Sequence, residues 1–351
     1  MQTTHRRLGL VALVSSAALA LTACGGANAG STGESASPSA SASASAGSSS
    51  SSASASTQSG PVKVTDMADS EVTVQTPAES IIATDNRIFR TLENWGVSLA
   101  AAPLALMNED TVDYPSDDSI IDLGTHREPD MEGFVEAKPD LVLNGQRFSG
   151  LTEDIKPLIG DAAFVDTNVV EGKPLDEELR RLTTLLGDIF GKQAEAEKLI
   201  SDFDSSIDRA AEAYDEDETV VGLIATGGDL SYAAPSTGRA IGPVFDMLEL
   251  TPALERDGST NHQGDDISVE AIAEANPDWI LVMDRDAAIS TSEEEGYQPA
   301  AELIEESEAL QNVTAVEEGN IVYLPEDFYV HEDIQNYTTF LNKLADAFDA
   351  E

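Results

Sequence analysis

Two arginines occupy matching positions in an internal repeat of this sequence. The repeat aligns residues 132–143 with residues 270–281, and both copies read E-x-φ-x-E-A-x-P-D-x-φ-L, where φ is apolar. Arg147 and Arg285 each lie eight residues after the proline of their copy. Guanidinium groups hold several N–H donors in a fixed plane, which suits paired anionic oxygens. The two positions therefore predict a positive site for an anionic ligand.

A third arginine could belong to the same site. Arg239 stands in a glycine-bearing loop between a predicted strand at 220–225 and a predicted apolar helix at 241–250. The alternative reading of such an arginine is an ion pair with a local carboxylate, as Asp284 or Asp286 could provide beside the second repeat copy.

Histidine and tyrosine side chains could add metal chemistry. His262 lies in a polar loop before the second copy, and Tyr329 follows the last predicted strand. Both are expected to face one cleft, where imidazole nitrogen and phenolate oxygen are good donors to ferric iron. The residues alone leave open an exposed loop histidine and a half-buried packing tyrosine. His126 precedes the first copy and has no assigned role.

Catalytic motifs are missing from the sequence, which has no HExxH, no paired cysteines and no GxSxG. The run His331-Glu332-Asp333 is the candidate for a hydrolase site, but its residues are consecutive rather than spaced to share one face. We therefore expect a binding protein and not an enzyme. A surface hydrolase and a non-transport adhesin or scaffold are the alternatives.

The repeat also predicts the elements that position these side chains. In each copy a short amphipathic helix ends before Pro139 or Pro277, and the apolar run that follows is typical of a buried parallel strand. Ligand sites in open α/β sheets lie beyond the carboxyl ends of the strands. Between the copies, apolar residues at three- and four-residue spacings predict one long helix over 174–214, although Gly187 and Gly191 weaken its middle.

The predicted fold class is α/β, with two similar lobes built on mostly parallel central sheets, joined by one long backbone helix and enclosing a ligand cleft. The predicted segments are an N-terminal lobe at 61–170, the connecting helix at 171–214 and a C-terminal lobe at 215–351. Predicted strands lie at 72–74, 81–83, 141–143, 163–165, 220–225, 279–283 and 321–323, and a closing helix at 335–348.

The N-terminal region has the order of a secretory signal. Basic residues precede an apolar run, and residues 1–24 end in Leu-Thr-Ala-Cys, a lipobox whose Cys24 is the only cysteine of the chain. We expect lipidation of Cys24 to anchor the protein on the extracytoplasmic face of a cell membrane. Residues 25–60 are rich in Ser, Ala and Gly, and this composition predicts a flexible tether.

Composition excludes several functions. The 351 residues include 65 acidic and 19 basic side chains, a net charge of −46, which argues against a nucleic-acid partner. Hydrophobic residues make up 41% of the chain, enough for a large core, so a wholly disordered acidic protein is not expected. We expect a monomer whose acidity serves solubility.

Three stretches carry a resemblance to a known family: Leu123–Glu132 with Lys138-Pro-Asp140, Ser268-Val-Glu270 with Pro277-Asp278, and Pro325–Tyr329. They resemble the iron-siderophore and cobalamin-type substrate-binding lipoproteins of bacterial ABC importers. The similarity covers nearly all of 61–351 and is greatest to binders of ferric catecholate siderophores.

The resemblance implies roles for particular residues. The three arginines that hold the anionic complex in relatives match positions close to Arg147, Arg239 and Arg285. At the first of these, relatives read Gly-Arg-Gln where this chain has Gly145-Gln146-Arg147. His262 and Tyr329 match the pair that completes iron coordination when a siderophore supplies only two catechols.

The resemblance also implies partners. Glu132 and Glu270 match the acids that dock each lobe against arginines of the permease, which works with its ATPase. The implied cargo is Fe(III) as a siderophore complex, with no intrinsic cofactor, and lobe closure on binding is expected to be modest. Haem, cobalamin or a hydroxamate siderophore are alternative ligands, and His331 and Tyr337 are alternative donors near Tyr329.

Overall fold

The structure is a computed structural model that describes residues 60–289 and 296–350. The predicted signal peptide, Cys24 and all of the predicted tether except Gly60 lie outside the described residues. Within the described part, no helix is both long and apolar enough to cross a membrane.

The N-terminal lobe is built on a five-stranded parallel sheet of order β5-β4-β3-β8-β9. Two antiparallel pairs, β1 with β2 and β6 with β7, lie outside that sheet. The strands of this lobe are β1 Gly60–Thr65, β2 Glu71–Thr76, β3 Ile81–Ala83, β4 Ala101–Ala102, β5 Ile121–Asp122, β6 Gly124–Thr125, β7 Glu128–Pro129, β8 Leu141–Asn144 and β9 Ala163–Asp166.

The C-terminal lobe has a second sheet of order β11-β10-β13-β14, in which β10, β13 and β14 are parallel and β11 is an antiparallel edge. A short strand, β12, pairs with the start of β10. The strands of this lobe are β10 Thr219–Thr226, β11 Asp229–Tyr232, β12 Thr251–Pro252, β13 Trp279–Asp284 and β14 Ile321–Tyr323. All seven predicted strands lie within observed strands.

Helices cover both faces of the sheets. The α-helices are α1 Phe89–Asn94, α2 Met131–Glu136, α3 Thr152–Ile155, α4 Leu175–Phe190, α5 Gln193–Ala213, α6 Gly242–Leu248, α7 Val269–Ala275, α8 Ala300–Glu305, α9 Thr314–Glu318 and α10 Ile334–Phe348. Short 3₁₀ helices lie at Leu104–Leu106, Tyr114–Ser116, Gln146–Leu151, Lys156–Leu158 and Asp286–Ala288.

Side-chain alternation explains why the central strands are apolar throughout. In β13, Trp279, Leu281 and Met283 pack into one buried cluster, whereas Ile280 and Val282 pack into another on the opposite face. Strand β8 divides its side chains between two clusters in the same way. Both sheets are therefore covered on both faces, as parallel sheets require.

The repeat corresponds to α2-β8 in one lobe and α7-β13 in the other. Its Pro-Asp pair has the same structural use in both copies. Asp140 accepts hydrogen bonds from the backbone N–H groups of Glu79 and Ser80 at 2.7 and 3.1 Å, just before β3. Asp278 accepts from the backbone N–H and the hydroxyl of Thr219, at the start of β10, at 2.7 and 2.8 Å. Each aspartate thus ties the neighbouring parallel strand to its own.

The prediction of one continuous connecting helix is wrong. Helix α4 ends at Gly191, which has φ +64°, and α5 turns back from it. The two helices pack so closely that a Cβ on Gly187 would lie 2.7 Å from the Cβ of Ala196. Of the two glycines that weakened the periodic pattern, Gly191 therefore ends α4 in a left-handed conformation, and Gly187 allows the close contact between α4 and α5.

Helix α4 packs into the cores of both lobes. Leu179 near its start packs into the C-terminal core, whereas Leu182, Leu185 and Ile189 pack into the N-terminal core. Helix α5 packs against α10 and contributes Phe203 to the C-terminal core.

Candidate ligand site

A cleft of about 1070 Å³ lies between the two lobes, a size typical of small-molecule sites. Charged, histidine and tyrosine side chains line both sides of the cleft. On one side they are Arg87, His126, Arg127, Arg147, Glu171, Lys173 and Asp176. On the other side they are Arg239, Asp246, His262, Tyr329, Glu332 and Tyr337.

The ring of Tyr329 is the meeting point of the three arginines predicted from the sequence. The guanidinium carbons of Arg147, Arg239 and Arg285 lie 5.1, 4.6 and 4.8 Å from its centroid. Cation–π attraction holds a guanidinium over an aromatic face at such distances. Three arginines from distant points of the chain are thereby gathered around one half-polar side chain.

Local backbone geometry brings each arginine to this place. Arg147 lies in the 3₁₀ turn after β8, where a Cβ on Gly145 would lie 2.2 Å from the buried carboxyl of Asp85. Arg285 follows β13 directly, and its N–H donates to the carbonyl of Ala225 at 3.0 Å. Strand ends therefore position Arg147 and Arg285, as the repeat predicted.

The loop before Arg239 is equally tight. A Cβ on Gly238 would lie 2.5 Å from the backbone of Ala233 and Ala234, so no larger residue fits there without a shift of the loop. The close approach turns the chain directly after β11 and carries Arg239 to the cleft.

The three arginines differ in how far carboxylates neutralise them. Arg285 pairs with Asp286 at 2.8 Å, so the local ion pair considered as an alternative does form there. Arg239 pairs with Glu332 through its Nε. Arg147 makes no ion pair within 60–289 and 296–350, and its Nη2 donates to the Tyr329 carbonyl at 3.4 Å.

Each of these arginines keeps a buried nitrogen without a hydrogen-bond partner in the described part of the chain: Nε of Arg147, Nη2 of Arg239 and Nε of Arg285. Buried donors without partners are costly, and they mark positions where an acceptor is missing. The site can therefore accept an anion with several oxygens.

Electrostatics act on the two predicted metal donors. Burial raises the pKa of Tyr329, but Arg147, Arg239 and Arg285 together outweigh it and leave the pKa below its usual value. The pKa of His262 is lowered by partial burial and by the arginines, with Arg285 foremost. Both shifts act in the direction of phenolate and neutral imidazole, the forms that bind metal ions.

Next to the cleft, arginines and acids join the lobes in what we call the interlobe contact, formed by Arg87 and Arg90 with Asp327, Glu332 and Asp333. Arg87 Nη2 lies 2.9 Å from Glu332 Oε2, and Arg90 Nη2 lies 2.5 Å from Asp327 Oδ2. Arg90 Nε is 3.3 Å from Asp333 Oδ2. Glu332 also holds Arg239, so it belongs to both the interlobe contact and the cleft.

Burial sets the pKa values in the interlobe contact. It raises the pKa of Asp333 to about 7 in spite of Arg90. Burial would also raise the pKa of Glu332, but Arg239 and Arg87 hold it below its usual value. In the run His331-Glu332-Asp333, the two acids therefore form ion pairs between the lobes.

The alternative donors near Tyr329 have other partners. His331 is fully buried and accepts a hydrogen bond from the Asn108 N–H at 3.2 Å, while burial and Arg90 lower its pKa to about 4. The hydroxyl of Tyr337 donates to the Ala240 carbonyl at 3.0 Å, and burial raises its pKa.

The predicted docking acids lie away from the cleft lining. Glu132 and Glu270 are exposed in the first turns of α2 and α7. Asp130 and Ser268 cap these helices by accepting backbone N–H hydrogen bonds. One such acid stands on each lobe. Within the described residues, no group of three His, Cys, Asp or Glu could hold a metal ion.

Sequence reasoning overlooked Arg87 and Arg127 and left His126 without a role, although all three line the cleft. Arg87 follows the predicted strand at 81–83, and the strand-end rule could have found it. His126 and Arg127 lie between strands of two residues each, which leave no periodic signal.

Comparison with known proteins identifies the family. The family model described as "Periplasmic binding protein" matches residues 81–328, so the chain belongs to the periplasmic binding protein family, whose members bind substrates and are not enzymes.

Two curated relatives match part of the chain. Petrobactin-binding protein YclQ of Bacillus subtilis is 28% identical over 211 residues, 59% of this chain and 62% of the relative. Ferric-anguibactin-binding protein FatB of Vibrio anguillarum is 30% identical over 193 residues, 53% of this chain and 59% of the relative. The chain thus spans about three fifths of the length of these relatives.

Solved structures share the fold. That of YclQ has a TM-score of 0.70 at 22% identity and covers 83% of this chain and 99% of that one. The catecholate-siderophore binding protein VctP of Vibrio cholerae has a TM-score of 0.67 at 19% identity and covers 83% of this chain and 100% of that one. The predicted two-lobed α/β class is confirmed, apart from the break in its connecting helix.

Proposed function

We propose that this protein is the extracytoplasmic binding protein of an ABC importer and captures an anionic ferric siderophore, with catecholates favoured. The observation that carries the proposal is the group of three arginines around Tyr329, each with a buried nitrogen that has no hydrogen-bond partner among the described residues. Catecholates present adjacent oxygen anions, which forked guanidinium donors suit. The similarity to the petrobactin-binding protein YclQ and the ferric-anguibactin-binding protein FatB supports the same class.

The binding roles divide by chemistry. Arg147, Arg239 and Arg285 hold the anionic complex and offset part of its charge. His262 and Tyr329 donate to iron where the chelate leaves coordination positions open, and their lowered pKa values support this role. Iron arrives as cargo within the chelate, and the protein carries no cofactor of its own.

The interlobe contact favours a limited closing motion. Arg87–Glu332 and Arg90–Asp327 join the lobes beside the cleft, and a wide rotation would separate charges that lie in largely buried positions. Delivery then depends on Glu132 and Glu270, which dock the two lobes against the permease that works with an ATPase. Lipidated Cys24 keeps the monomeric protein at the membrane.

Ligand titration of the purified protein tests the proposal. Intrinsic fluorescence would be followed during addition of a ferric four-donor catecholate, a ferric six-donor catecholate, a ferric hydroxamate, haem and cobalamin. We expect saturable, submicromolar quenching by the catecholates. Quenching by another compound alone would move the ligand to that class, and no saturable response to any of the five would refute the proposal.

Charge-removing variants localise the binding. Arg147→Gln is expected to weaken catecholate binding, because Arg147 lines the cleft. The matched control is Arg209→Gln, because Arg209 pairs with Asp346 on the surface and does not line the cleft. Equal affinities for the two variants would place the ligand elsewhere.

A further inference from the structure

A buried carboxylate, that of Glu332, lies among the cations of the cleft. Of the described acids that line the cleft, Glu332 alone is buried, and its side chain is 5% exposed. Its Oε2 accepts a hydrogen bond from Arg87 Nη2 at 2.9 Å, and its Oε1 accepts one from Arg239 Nε. A carboxylate is costly to bury unless cations pair with it. Glu332 therefore holds two guanidinium groups of the cleft at once, one from each lobe.

A contact that only joins the lobes does not explain this position. Arg87 would suffice as the partner across the lobes, but Glu332 also pairs with Arg239, which lies on the Tyr329 ring. Arg239 Nη2 and Arg87 Nε are buried and have no hydrogen-bond partner in the described part of the chain. Both arginines thus keep a donor for a ligand while part of their charge is balanced. Glu332 lowers the charge of the site and leaves donors in place.

The charges near the Tyr329 ring form what we call the arginine group. It comprises four guanidinium groups and two carboxylates, those of Arg87, Arg147, Arg239 and Arg285 and of Glu332 and Asp286, with a net of two positive charges. The other charged side chains of the cleft lining are each at least a quarter exposed, so that water and salt screen them: Arg127, Glu171, Lys173, Asp176 and Asp246.

Ferric catecholates differ in charge according to the number of catechols. Each ionised catechol brings two negative charges, so ferric iron carries one negative charge with two catechols and three with three catechols. The first complex leaves two coordination positions, which the proposed function gives to His262 and Tyr329. The Tyr329 phenolate then brings the negative total to two, which the arginine group balances. The second complex leaves no position open, and its three charges exceed the arginine group.

We propose that Glu332 determines specificity: by neutralising part of the arginine group, it fits the cleft to a ferric chelate with two catechols and disfavours the more highly charged chelate with three. The inference rests on the proposed function, since it requires a ferric catecholate near the Tyr329 ring. Charges interact in proportion to their product, so the Glu332 carboxylate repels the complex with three negative charges more strongly.

A variant without this charge tests the assignment. Glu332→Gln keeps the length of the side chain and an oxygen acceptor for Arg239 Nε. Wild type and variant would be titrated with the ferric four-donor and six-donor catecholates, with intrinsic fluorescence as the signal. Wild type is expected to bind the four-donor complex more tightly. In Glu332→Gln, the affinity for the six-donor complex relative to the four-donor complex should rise about tenfold.

Two further variants separate charge from structure. Arg87→Met removes a cation and leaves Glu332 paired with Arg239, so the ratio of affinities should move the opposite way, further toward the four-donor complex. This variant decides the question if Glu332→Gln does not fold. Asp327→Asn is the matched control, because Asp327 belongs to the interlobe contact and does not line the cleft. Its ratio should stay within about twofold of wild type.

The outcomes distinguish this inference from the proposed function. Wild-type binding of both chelates with an unchanged ratio in Glu332→Gln would overturn the role of Glu332 alone. An equal shift in Asp327→Asn, or a wild type that prefers the six-donor complex, would overturn that role as well. Failure of the wild type to bind either chelate would overturn the proposed function and this inference together.

Discussion

The cleft and the interlobe contact both use arginine, but in opposite ways. Arg90 faces Asp327 and Asp333, so its charge is balanced within the protein. Arg147 lies on the Tyr329 ring and makes no ion pair in the described residues. Residue type therefore does not distinguish a structural arginine from a ligand-binding one. The distinction depends on which carboxylates reach each guanidinium.

The scarcity of basic residues sharpens this contrast. The chain has 19 Lys and Arg against 65 Asp and Glu, so nearly any arginine could find an acid. Within residues 60–289 and 296–350, only Glu332 and Asp286 pair with the three arginines at the Tyr329 ring. A positive cleft within so acidic a protein acts at short range, because salt screens the distant charges within about 8 Å.

The largest expected effect comes from breaking the interlobe contact. Arg90→Met removes the charge that faces Asp327 and Asp333, and we expect the free energy of unfolding to fall by about 3–5 kcal/mol, as for other buried ion pairs that lose one partner. Urea denaturation measures the loss. Ligand affinity should stay within about twofold, since Arg90 does not line the cleft.

A matched control for Arg90 is Arg209→Met, which removes an exposed ion pair with Asp346 and should cost less than about 1 kcal/mol. Loss of binding without loss of stability in Arg90→Met would contradict the division between the two regions.

The pH dependence of stability gives the next largest effect. The pKa of Asp333 is about 7 in the folded protein and 3.8 without the fold, so the native state binds this proton more tightly. The stability that comes from this proton is present below pH 3.8 and is lost as pH rises to about 7. Asp333→Asn removes the titration. The variant should gain up to about 4 kcal/mol relative to wild type between pH 4 and pH 8.

Unfolding curves of both proteins at each pH measure this difference. The asparagine can still accept the 2.7 Å bond from the Asn336 N–H that caps α10, so helix capping is retained. Comparison at matched pH cancels the opposite contribution of His331, whose lowered pKa removes stability as pH falls from 6.5 to about 4. A difference that does not vary with pH would refute the raised pKa.

In the cleft, removal of one cation should affect binding and leave stability unchanged. Arg147→Met is expected to weaken catecholate binding by about 10- to 100-fold, the equivalent of one or two charge-assisted hydrogen bonds. The temperature of unfolding should not fall, because Arg147 makes no ion pair with the part of the chain that the structure describes. Arg147→Lys keeps the charge without the planar fork and should recover part of the affinity. A full recovery would show that charge alone matters.

The smallest effect concerns the aspartate that both copies of the repeat contain after their proline. Asp140→Ala and Asp278→Ala each remove hydrogen bonds to the neighbouring strand, and each should lower the free energy of unfolding by about 1–2 kcal/mol. Near-equal losses, measured by denaturation, would support the equivalence of the two copies. A loss in only one variant would show that the two copies are similar in sequence but do not have the same structural role.

Much of the fold could be predicted because burial leaves local signals. Leu141–Leu143 and Trp279–Met283 are apolar throughout since both faces of each sheet are covered, and the proline before each run marks the helix end. The break between α4 and α5 was visible as Gly187 and Gly191. Their effect could not be judged from periodicity, because the fold-back depends on the contact with Ala196.

The candidate site was predicted in part for the same reason. Strand ends located Arg147 and Arg285, but strands of two residues gave no warning of the hairpin that carries His126. The interlobe contact was also beyond sequence reasoning, since Arg87 and Glu332 are 245 residues apart.

The sequence by itself determined the α/β repeat, the ends of the main strands and the scarcity of cations in an acidic chain. Only the tertiary structure decided that Arg147, Arg239 and Arg285 meet on Tyr329 while Arg90 is neutralised. Periodicity and turn residues report on a side chain's own backbone and burial. The pairing of charges depends instead on how two lobes approach each other, and that approach is set by packing along α4 and at the interlobe contact.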